Sequence, residues 1–385
     1  MWYNHPMINR SRSEKDIATA LSRNPVVAIV GPRQCGKTTI ARSFQSATES
    51  HWFDLEDPVD RALLTEPRTA LTDLRGLIII DEVQHAPHLF PVLRVLADRS
   101  EAPAKFLILG SASPDLVKGA SESLAGRVET VQLGGFNLSE VGVESRDSLW
   151  ARGGFPRSFL AANENNSYSW RRNFIETFLT RDIPGLGLRV NIELLRRFWS
   201  MLAHYHGGVW NGSEIGGSLG ISHTTVRSYL DLLTELYLVR QLRPWHENLQ
   251  KQQVKSPKIY FRDSGILHST LSIQSTNDLL VHPKLGLSWK GFVIEQLLAI
   301  CRPDEAFFWA TQQGAEIDLL MFYGSKRIGI EIKRADAPRL THSMRNAMAD
   351  LKLDALHVIY SGERSYALAE NINVIPFKEL ERLAS

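Results

Sequence analysis

The segment of residues 31–38, Gly-Pro-Arg-Gln-Cys-Gly-Lys-Thr, constrains the fold of this chain more than any other. It matches G-x-x-x-x-G-K-[ST], and it stands between an apolar run at residues 26–30 and a predicted helix at 39–44. In such a loop backbone N–H groups turn toward phosphates, the lysine reaches the β- and γ-phosphates, and the threonine hydroxyl binds magnesium. The predicted nucleotide-binding residues are Gly31, Pro32, Arg33, Gln34, Cys35, Gly36, Lys37, Thr38 and Thr39. The alternative is a glycine-rich turn with a solvated lysine.

A second apolar run, at residues 77–80, ends in two carboxylates, Asp81 and Glu82. Ligands bind at the carboxyl ends of strands in open α/β sheets, so both side chains are expected beside the phosphates. Asp81, with Thr38, is predicted to hold Mg²⁺ together with ATP. Glu82 is predicted to orient the attacking water as general base, and Lys37 to assist catalysis. An ordinary helix start after the run is the alternative interpretation.

Two further polar residues are candidates for the same chemistry. Ser111 follows a third apolar run, at 106–109, and is predicted to lie between the ends of the other two strands as a γ-phosphate sensor. A helix N-cap is the alternative for Ser111. Arg127 precedes a predicted strand at 128–133. An arginine supplied by a neighbouring subunit raises turnover by roughly 10³ to 10⁵ in some ATPases, so Arg127 is a candidate catalytic residue, with a surface salt bridge as the alternative.

The order of apolar and amphipathic segments predicts three domains. Residues 1–150 alternate helices with apolar runs, which is typical of a doubly wound α/β domain with a parallel sheet buried on both faces. Its first helix is predicted to begin at a capping box formed by Ser13 and Asp16. Residues 151–245 predict a helical module. Residues 246–385 predict a second α/β domain, with strands at 258–261, 307–309, 317–322, 328–333 and 355–360.

Composition limits the location and the partners. The chain has 44 Lys plus Arg and 42 Asp plus Glu, a net charge of +2, so any DNA contact must come from local patches. Its two cysteines lie far apart, and no apolar run approaches the roughly 20 residues that span a bilayer. We therefore expect a cytoplasmic protein with no membrane partner.

With these residues the chain resembles a widespread group of prokaryotic two-part ATPases, in which an AAA-type P-loop domain precedes a C-terminal domain without a known function. The resemblance covers nearly the whole chain and implies ATP binding and hydrolysis. It also implies a homo-oligomer, of which a hexameric ring is one form. Beyond the loop it rests on residues 77–84 (L-I-I-I-D-E-V-Q), 110–113, 123–127 (S-L-A-G-R), 153–156 (G-G-F-P), 181–183 (R-D-I) and 258–267 (K-I-Y-F-R-D-S-G-I-L).

The middle segment contains helix-turn-helix spacing, with a helix at 213–219, a turn at 220–222 and a second helix at 223–233. With residues 237–242 as a wing, this unit resembles a winged helix. Its predicted exposed side chains are His223, Thr224, Arg227 and Ser228, of which Thr224 and Arg227 are the candidate DNA contacts. Winged helices also serve as plain packing modules, and that alternative stays open.

The C-terminal segment carries a constellation that resembles the PD-(D/E)XK nuclease core. Glu295 lies on a predicted helix, Asp318 in a strand, and Glu331 and Lys333 in the next strand. Residues two apart in a strand point to the same face, so Asp318 and Glu331 are predicted to hold a second Mg²⁺, with Glu295 and Lys333 nearby. The alternative is a solvated charge ladder across a strand pair.

The sequence therefore predicts an ATP-hydrolysing, DNA-binding enzyme that remodels or moves along duplex or branched DNA, as helicases and branch-migration enzymes do. Two alternatives remain. One is a nucleotide-dependent switch that binds a protein partner, and the other is a metal-dependent nuclease acting through the C-terminal domain.

Overall fold

A computed structural model describes residues 8–45, 49–99, 104–111, 122–186, 190–247 and 252–384, with only the backbone of Ser111. The chain divides into two compact units. The first comprises Met1–Gly135 and Glu235–Tyr237, and the second comprises Phe136–Thr234 and Leu238–Ser385. The segments predicted as separate middle and C-terminal domains thus contribute to one unit.

The first unit is built on a five-stranded sheet with the order β2-β3-β4-β1-β5, in which all neighbours are parallel. Three of these strands coincide with the predicted apolar runs, which confirms the parallel α/β fold. Strand β2 was not predicted, because its sequence Ser-His-Trp-Phe-Asp contains no apolar run and is only half-buried. The strands are β1 (Val26–Gly31), β2 (Ser50–Asp54), β3 (Gly76–Asp81), β4 (Ala104–Ser111) and β5 (Val128–Gln132).

Helices pack against this sheet and close its core. The first helix begins at Ser11, two residues before the predicted capping box at Ser13, so that prediction was wrong. Its N-cap residue, Arg10, makes no side-chain cap, because a guanidinium has only donors and a cap must accept a backbone N–H. The described helices of this unit are Ser11–Arg23, Lys37–Ser43, Pro58–Leu63, Pro67–Leu71 and Leu89–Ala97, with a 3₁₀ turn at Val83–His85.

The second unit begins with helices. Two of them, Gly212–Leu219 and His223–Glu235, lie where the helix-turn-helix spacing predicts them. No helix in the described ranges is long and apolar enough to cross a bilayer. The others are Leu138–Val141, Arg146–Arg152, Pro156–Phe159, Glu164–Thr177, Ile183–Gly185, Ile192–His204, Ser264–Thr270, Thr276–Val281, Leu285–Cys301 and His342–Asp350, with a π-helix at Phe178–Asp182 and 3₁₀ segments at Val143–Ser145 and Phe377–Leu383.

Two sheets complete the second unit. Strands β6 (Val239–Leu242) and β7 (Lys258–Phe261) form an antiparallel pair. A six-stranded mixed sheet has the order β12-β13-β11-β10-β9-β8. The five strands predicted beyond residue 245 are all present, and the edge strand β12 and its neighbour β13 were missed. The six are β8 (Glu305–Ala310), β9 (Glu316–Tyr323), β10 (Lys326–Lys333), β11 (Ala355–Tyr360), β12 (Tyr366–Ala369) and β13 (Ile372–Pro376).

Candidate functional site

The glycine-rich loop leaves the carboxyl end of β1 and leads directly into the helix Lys37–Ser43. A Cβ on Gly31 would lie 2.0 Å from the carbonyl oxygen of Leu133, so only glycine fits there. Gly36, with φ of 102°, turns the chain into the helix through the left-handed region. The loop therefore presents the N-terminus of a helix at the edge of the sheet, which is an arrangement that binds anions.

The ammonium group of Lys37 lies within this loop. It is buried, and its Nζ donates to the carbonyl oxygens of Gly31 at 3.1 Å and Pro32 at 2.9 Å. Arg33 forms an ion pair of 3.2 Å with Glu56, whereas Gln34 and Thr39 are exposed. The structure thus brings one buried cation to the helix N-terminus.

A residue that the sequence did not indicate holds the loop from behind. Arg10 is only 8% exposed, and its guanidinium donates to the carbonyl oxygens of Cys35 at 3.1 Å, Gly134 at 3.2 Å and Gly135 at 3.3 Å. The buried Cys35 thiol lies 3.4 Å from the Leu133 carbonyl oxygen. Arg10 therefore ties the loop to the segment that follows β5. No local pattern marks it, because its partners lie 25 to 125 residues away.

Asp81 lies at the end of β3, close to the start of the loop's helix. Its Oδ2 accepts a hydrogen bond from the Thr38 hydroxyl at 2.8 Å, and the side chain is buried. Burial raises the pKa of Asp81, the Thr38 hydrogen bond opposes that rise, and the negative charge of Glu82 adds to it. A hydroxyl and a carboxylate meet here, and these are oxygen ligands that Mg²⁺ prefers.

Glu82 occupies a strained backbone position, with φ of 53° in the left-handed region. Its N–H donates to Oδ1 of Asp81 at 2.9 Å, and its carboxylate accepts a hydrogen bond from the Gln84 side chain. Left-handed backbone at a residue other than glycine is concentrated at functional sites. Six other described non-glycine residues also have positive φ, so what distinguishes Glu82 is its place at the carboxyl end of β3, next to Asp81.

The two remaining candidates of the first unit lie at opposite ends of the strands, Ser111 at the carboxyl ends and Arg127 at the amino ends. Strand β4 lies between β1 and β3, and Ser111 pairs with Gly31, while its side chain lies outside the described parts. Arg127 lies at the amino ends of the strands, where its carbonyl oxygen accepts the Val26 N–H at 3.2 Å. The six-residue strand β1 separates this end of the sheet from the loop by roughly 16 Å. The Arg127 guanidinium pairs with both oxygens of Asp98, so it does not serve its own chain's loop.

In the second unit, the helix His223–Glu235 exposes Thr224 and Arg227. Arg227 forms an i,i+4 ion pair of 3.0 Å with Asp231. Asp231 also accepts a hydrogen bond of 2.9 Å from Gln241 on β6. The helix surface therefore carries little uncompensated positive charge.

The C-terminal sheet brings three of its four candidates together. Asp318 is fully buried, and its Oδ2 accepts the Ile332 N–H at 2.9 Å. Lys333 pairs with Glu331 at 2.6 Å. Burial, reinforced by the charge of Asp318, raises the pKa of Glu331 to about 7, while the nearby lysines oppose that rise. Within the described ranges, no group of three or more His, Cys, Asp or Glu side chains could hold a metal ion.

Glu295 does not join that group, which corrects the prediction. Its carboxylate is bracketed by the guanidinium groups of Arg240 and Arg262, the latter at 3.3 Å. Burial raises the pKa of Glu295, but the two arginines outweigh it and lower the pKa overall. Asp318 instead pairs with Lys290, which precedes Glu295 by five residues on the same helix. Five helical residues correspond to a rotation of about 140°, so Glu295 points to another side.

Family models divide the chain into three parts. A model described as AAA domain matches residues 23–142, which confirms the AAA-type assignment and supports ATPase activity. Two models described as domains of unknown function, DUF8612 and DUF4143, match residues 143–277 and 285–380. The C-terminal part is thus similar to a domain without an assigned function, as the sequence resemblance implied.

One solved structure supports the same fold. The Walker-type ATPase PABY2304 of Pyrococcus abyssi aligns with a TM-score of 0.50 over 69% of this chain and 96% of that chain. The two sequences are 14% identical, so this likeness concerns the fold alone.

Two mycobacterial proteins are far more similar in sequence. They are the uncharacterized proteins Rv2008c of Mycobacterium tuberculosis and Mb2031c of Mycobacterium bovis, each 49% identical over 374 residues. The alignments span 97% of this chain and 85% of each relative. The chain therefore belongs to the same family as these two proteins.

Proposed function

We propose that this protein is a Mg²⁺-dependent ATPase whose second unit binds DNA. The observation that carries the first part is the 2.8 Å hydrogen bond between Thr38 and Asp81, next to the buried Lys37. Thr38 and Asp81 would hold Mg²⁺, whose charge neutralises phosphate oxygens. Lys37 binds the β- and γ-phosphates, and Glu82 accepts a proton from the attacking water.

Substitution of Glu82 tests the division between binding and hydrolysis. Glu82→Gln removes the base and keeps the shape, so we expect ATP binding with turnover reduced by about 10²-fold or more. Lys37→Ala should lose ATP binding itself. Glu122→Gln, at an exposed glutamate of the same unit, serves as the control. Turnover of Glu82→Gln at the wild-type rate would exclude Glu82 as the base.

The order of elements in the second unit supports the DNA-binding part. The helices Ile192–His204, Gly212–Leu219 and His223–Glu235 are followed by the β6–β7 pair. Val209, between the first two helices, forms an antiparallel bridge to Lys258 on β7. This is the succession a winged helix requires, and it leaves Thr224 and Arg227 on the exposed side of the third helix.

The DNA proposal is tested by binding and by DNA-stimulated ATP hydrolysis at several salt concentrations. Arg227→Glu should weaken DNA binding and make its salt dependence shallower, since each phosphate contact contributes to that slope. Arg382→Glu is the matched control, because Arg382 also forms an ion pair within one helical turn. Equal loss in both variants, or no binding of duplex, single-stranded or branched DNA by the wild type, would refute this part.

A second function is favoured by the pairing of Arg227 with Asp231 and by the net charge of +2. A surface with balanced charges suits a protein partner better than a phosphate backbone. In this case the protein is a nucleotide-dependent switch. A partner recovered only with ATP, together with turnover that DNA leaves unchanged, would establish the switch in place of the DNA-binding function.

A homo-oligomer, such as a hexameric ring, would give Arg127 a role in trans. An arginine that lies far from its own loop can act only on a neighbouring subunit. Mixing inactive Lys37→Ala with inactive Arg127→Ala should then restore part of the turnover, because some interfaces combine an intact loop with an intact arginine. Size-exclusion chromatography with ATP gives the assembly state. A monomer that hydrolyses ATP would exclude this role.

A further inference from the structure

The β9–β10 end of the C-terminal sheet collects charges that would ordinarily face water. The β9–β10 pair is antiparallel, and its recorded pairing ends at Leu319 and Ile330. Just beyond that pair, Asp318 accepts the N–H of Ile332, the residue that follows Glu331. Asp318 and Glu331 therefore lie close together on neighbouring strands. Two neighbouring carboxylates in a buried place require a compensating cation.

That cation is an ammonium group of the chain itself. Lys290 projects from the helix Leu285–Cys301, and its Nζ contacts Oδ1 of Asp318 and lies 3.6 Å from Oε1 of Glu316. The other oxygen of Asp318 accepts the Ile332 N–H. Both oxygens of Asp318 thus already have strong donors, and a metal ion would have to displace one of them.

The formal charges of the whole cluster balance. Lys258 on β7 pairs with Glu316, Lys290 with Asp318, and Lys333 with Glu331. Three ammonium groups therefore face three carboxylates. Lys258 is 5% exposed and Asp318 is fully buried, so water screens these pairs weakly. A divalent ion added to this neutral group would bring two uncompensated charges into a buried place.

We propose that Lys290 is a built-in cation that takes the place of a divalent metal ion, so that the C-terminal sheet does not cleave nucleic acid by metal-assisted hydrolysis. The carboxylates fit a metal site in residue type but not in their contacts. Mg²⁺ is usually bound through one or two carboxylates and completes its octahedral shell with water. Lys290, on the helix Leu285–Cys301, already occupies an Asp318 oxygen that such an ion would need.

Mn²⁺ binding by the full-length, nucleotide-free chain tests this proposal. All variants are made in an Asp81→Asn background, which removes the carboxylate ligand of the nucleotide site and makes the outcome independent of the ATPase proposal. Titration calorimetry should detect no Mn²⁺ site at the C-terminal sheet of this parent. Lys290→Met should gain a Mn²⁺ site that binds at least about tenfold more tightly than the detection limit of the titration. A tenfold change corresponds to about 1.4 kcal/mol. Thermal unfolding of the same variant should shift upward with Mn²⁺.

Two variants separate the charge of Lys290 from its packing. Lys290→Arg keeps a cation over Asp318 and should gain no Mn²⁺ binding. Asp318→Asn added to Lys290→Met should abolish the gain. Lys290→Gln repeats the test if Lys290→Met does not fold. The proposal is overturned if neither neutral variant gains a site, if Lys290→Arg gains one equally, or if the parent binds Mn²⁺ and loses it on Asp318→Asn.

Discussion

Replacement of Arg10 by alanine should weaken nucleotide binding although Arg10 lies outside the phosphate loop. The guanidinium donates three hydrogen bonds, one to the loop at Cys35 and two to the carbonyls of Gly134 and Gly135. A hydrogen bond to a charged group contributes about 1.5–3 kcal/mol. Because one of the three bonds ends on the loop itself, we expect the loop to lose about that much of its preorganisation.

This loss converts directly into affinity. Each 1.4 kcal/mol changes a dissociation constant about tenfold, so Arg10→Ala should raise the Kd for ATP by about 10- to 100-fold. The two bonds to the segment after β5 hold the unit together with or without nucleotide. At about 1.5–3 kcal/mol each, their loss should lower the free energy of unfolding of the first unit by about 3–6 kcal/mol.

The assay is titration with a fluorescent ATP analogue, run beside calorimetric unfolding with and without nucleotide. Arg10→Lys keeps the charge but lacks the planar fork of donors with which arginine reaches three acceptors. Its Kd should therefore lie between those of Arg10→Ala and wild type. Arg12→Ala removes an exposed arginine two residues away and should leave the Kd unchanged. A folded Arg10→Ala variant that binds ATP like the wild type would show that the hydrogen bonds of Arg10 do not preorganise the loop.

Three further predictions concern stability. Gly31→Ala places a Cβ 2.0 Å from a backbone oxygen and should cost at least about 2 kcal/mol, whereas Gly134→Ala meets nothing within 4 Å and should be tolerated in thermal unfolding. Glu295→Ala removes the carboxylate that Arg240 and Arg262 share and should cost about 3–5 kcal/mol; an unchanged melting temperature would contradict this. His206 accepts a backbone N–H on Nδ1, which requires the neutral ring, and burial lowers its pKa to about 3. The folded-state pKa of His206 lies below its unfolded value of about 6.5. Its contribution to the free energy of unfolding is therefore complete above about pH 6.5 and is lost as the pH falls toward 3. It should fall by about 2 kcal/mol between pH 7 and pH 5, and His206→Gln should flatten the measured pH slope while the exposed His223→Gln should not.

Local patterns were sufficient to predict the fold where one segment carries the whole signal. Strand β3 contains an uninterrupted run of four buried apolar residues, Leu77–Ile80, so its place in a parallel sheet could be predicted. Strand β2 could not, because its central Trp52 and Phe53 are flanked by polar residues and only half-buried. Edge strand β12 is largely exposed, which removes the alternation that identifies strands. Prediction therefore failed at the margins of both sheets.

The geometry of the candidate nucleotide site could be predicted for the same reason. Its loop is contiguous, and Asp81 follows a strand whose end must lie near the loop in a parallel sheet. Arg10 escaped prediction because its acceptors are backbone carbonyls, which every residue possesses. The helix that follows Arg10 also lacks the expected cap at Ser13, so the local pattern pointed to the wrong start. A clamp made to backbone atoms leaves no residue pattern to recognise.

The C-terminal cluster shows which part of such a site a sequence does contain. The helix Leu285–Cys301 has only two charged residues, Lys290 and Glu295, among mostly buried apolar ones. An unpaired buried charge costs several kcal/mol, so both residues had to be ion-paired if the helix was buried. The sequence therefore indicates that Lys290 and Glu295 each need a partner of opposite charge, but it does not identify those partners. Pairing Glu295 with arginines and Lys290 with Asp318 is decided by a rotation about the helix axis, and that rotation gives the sheet its own cation.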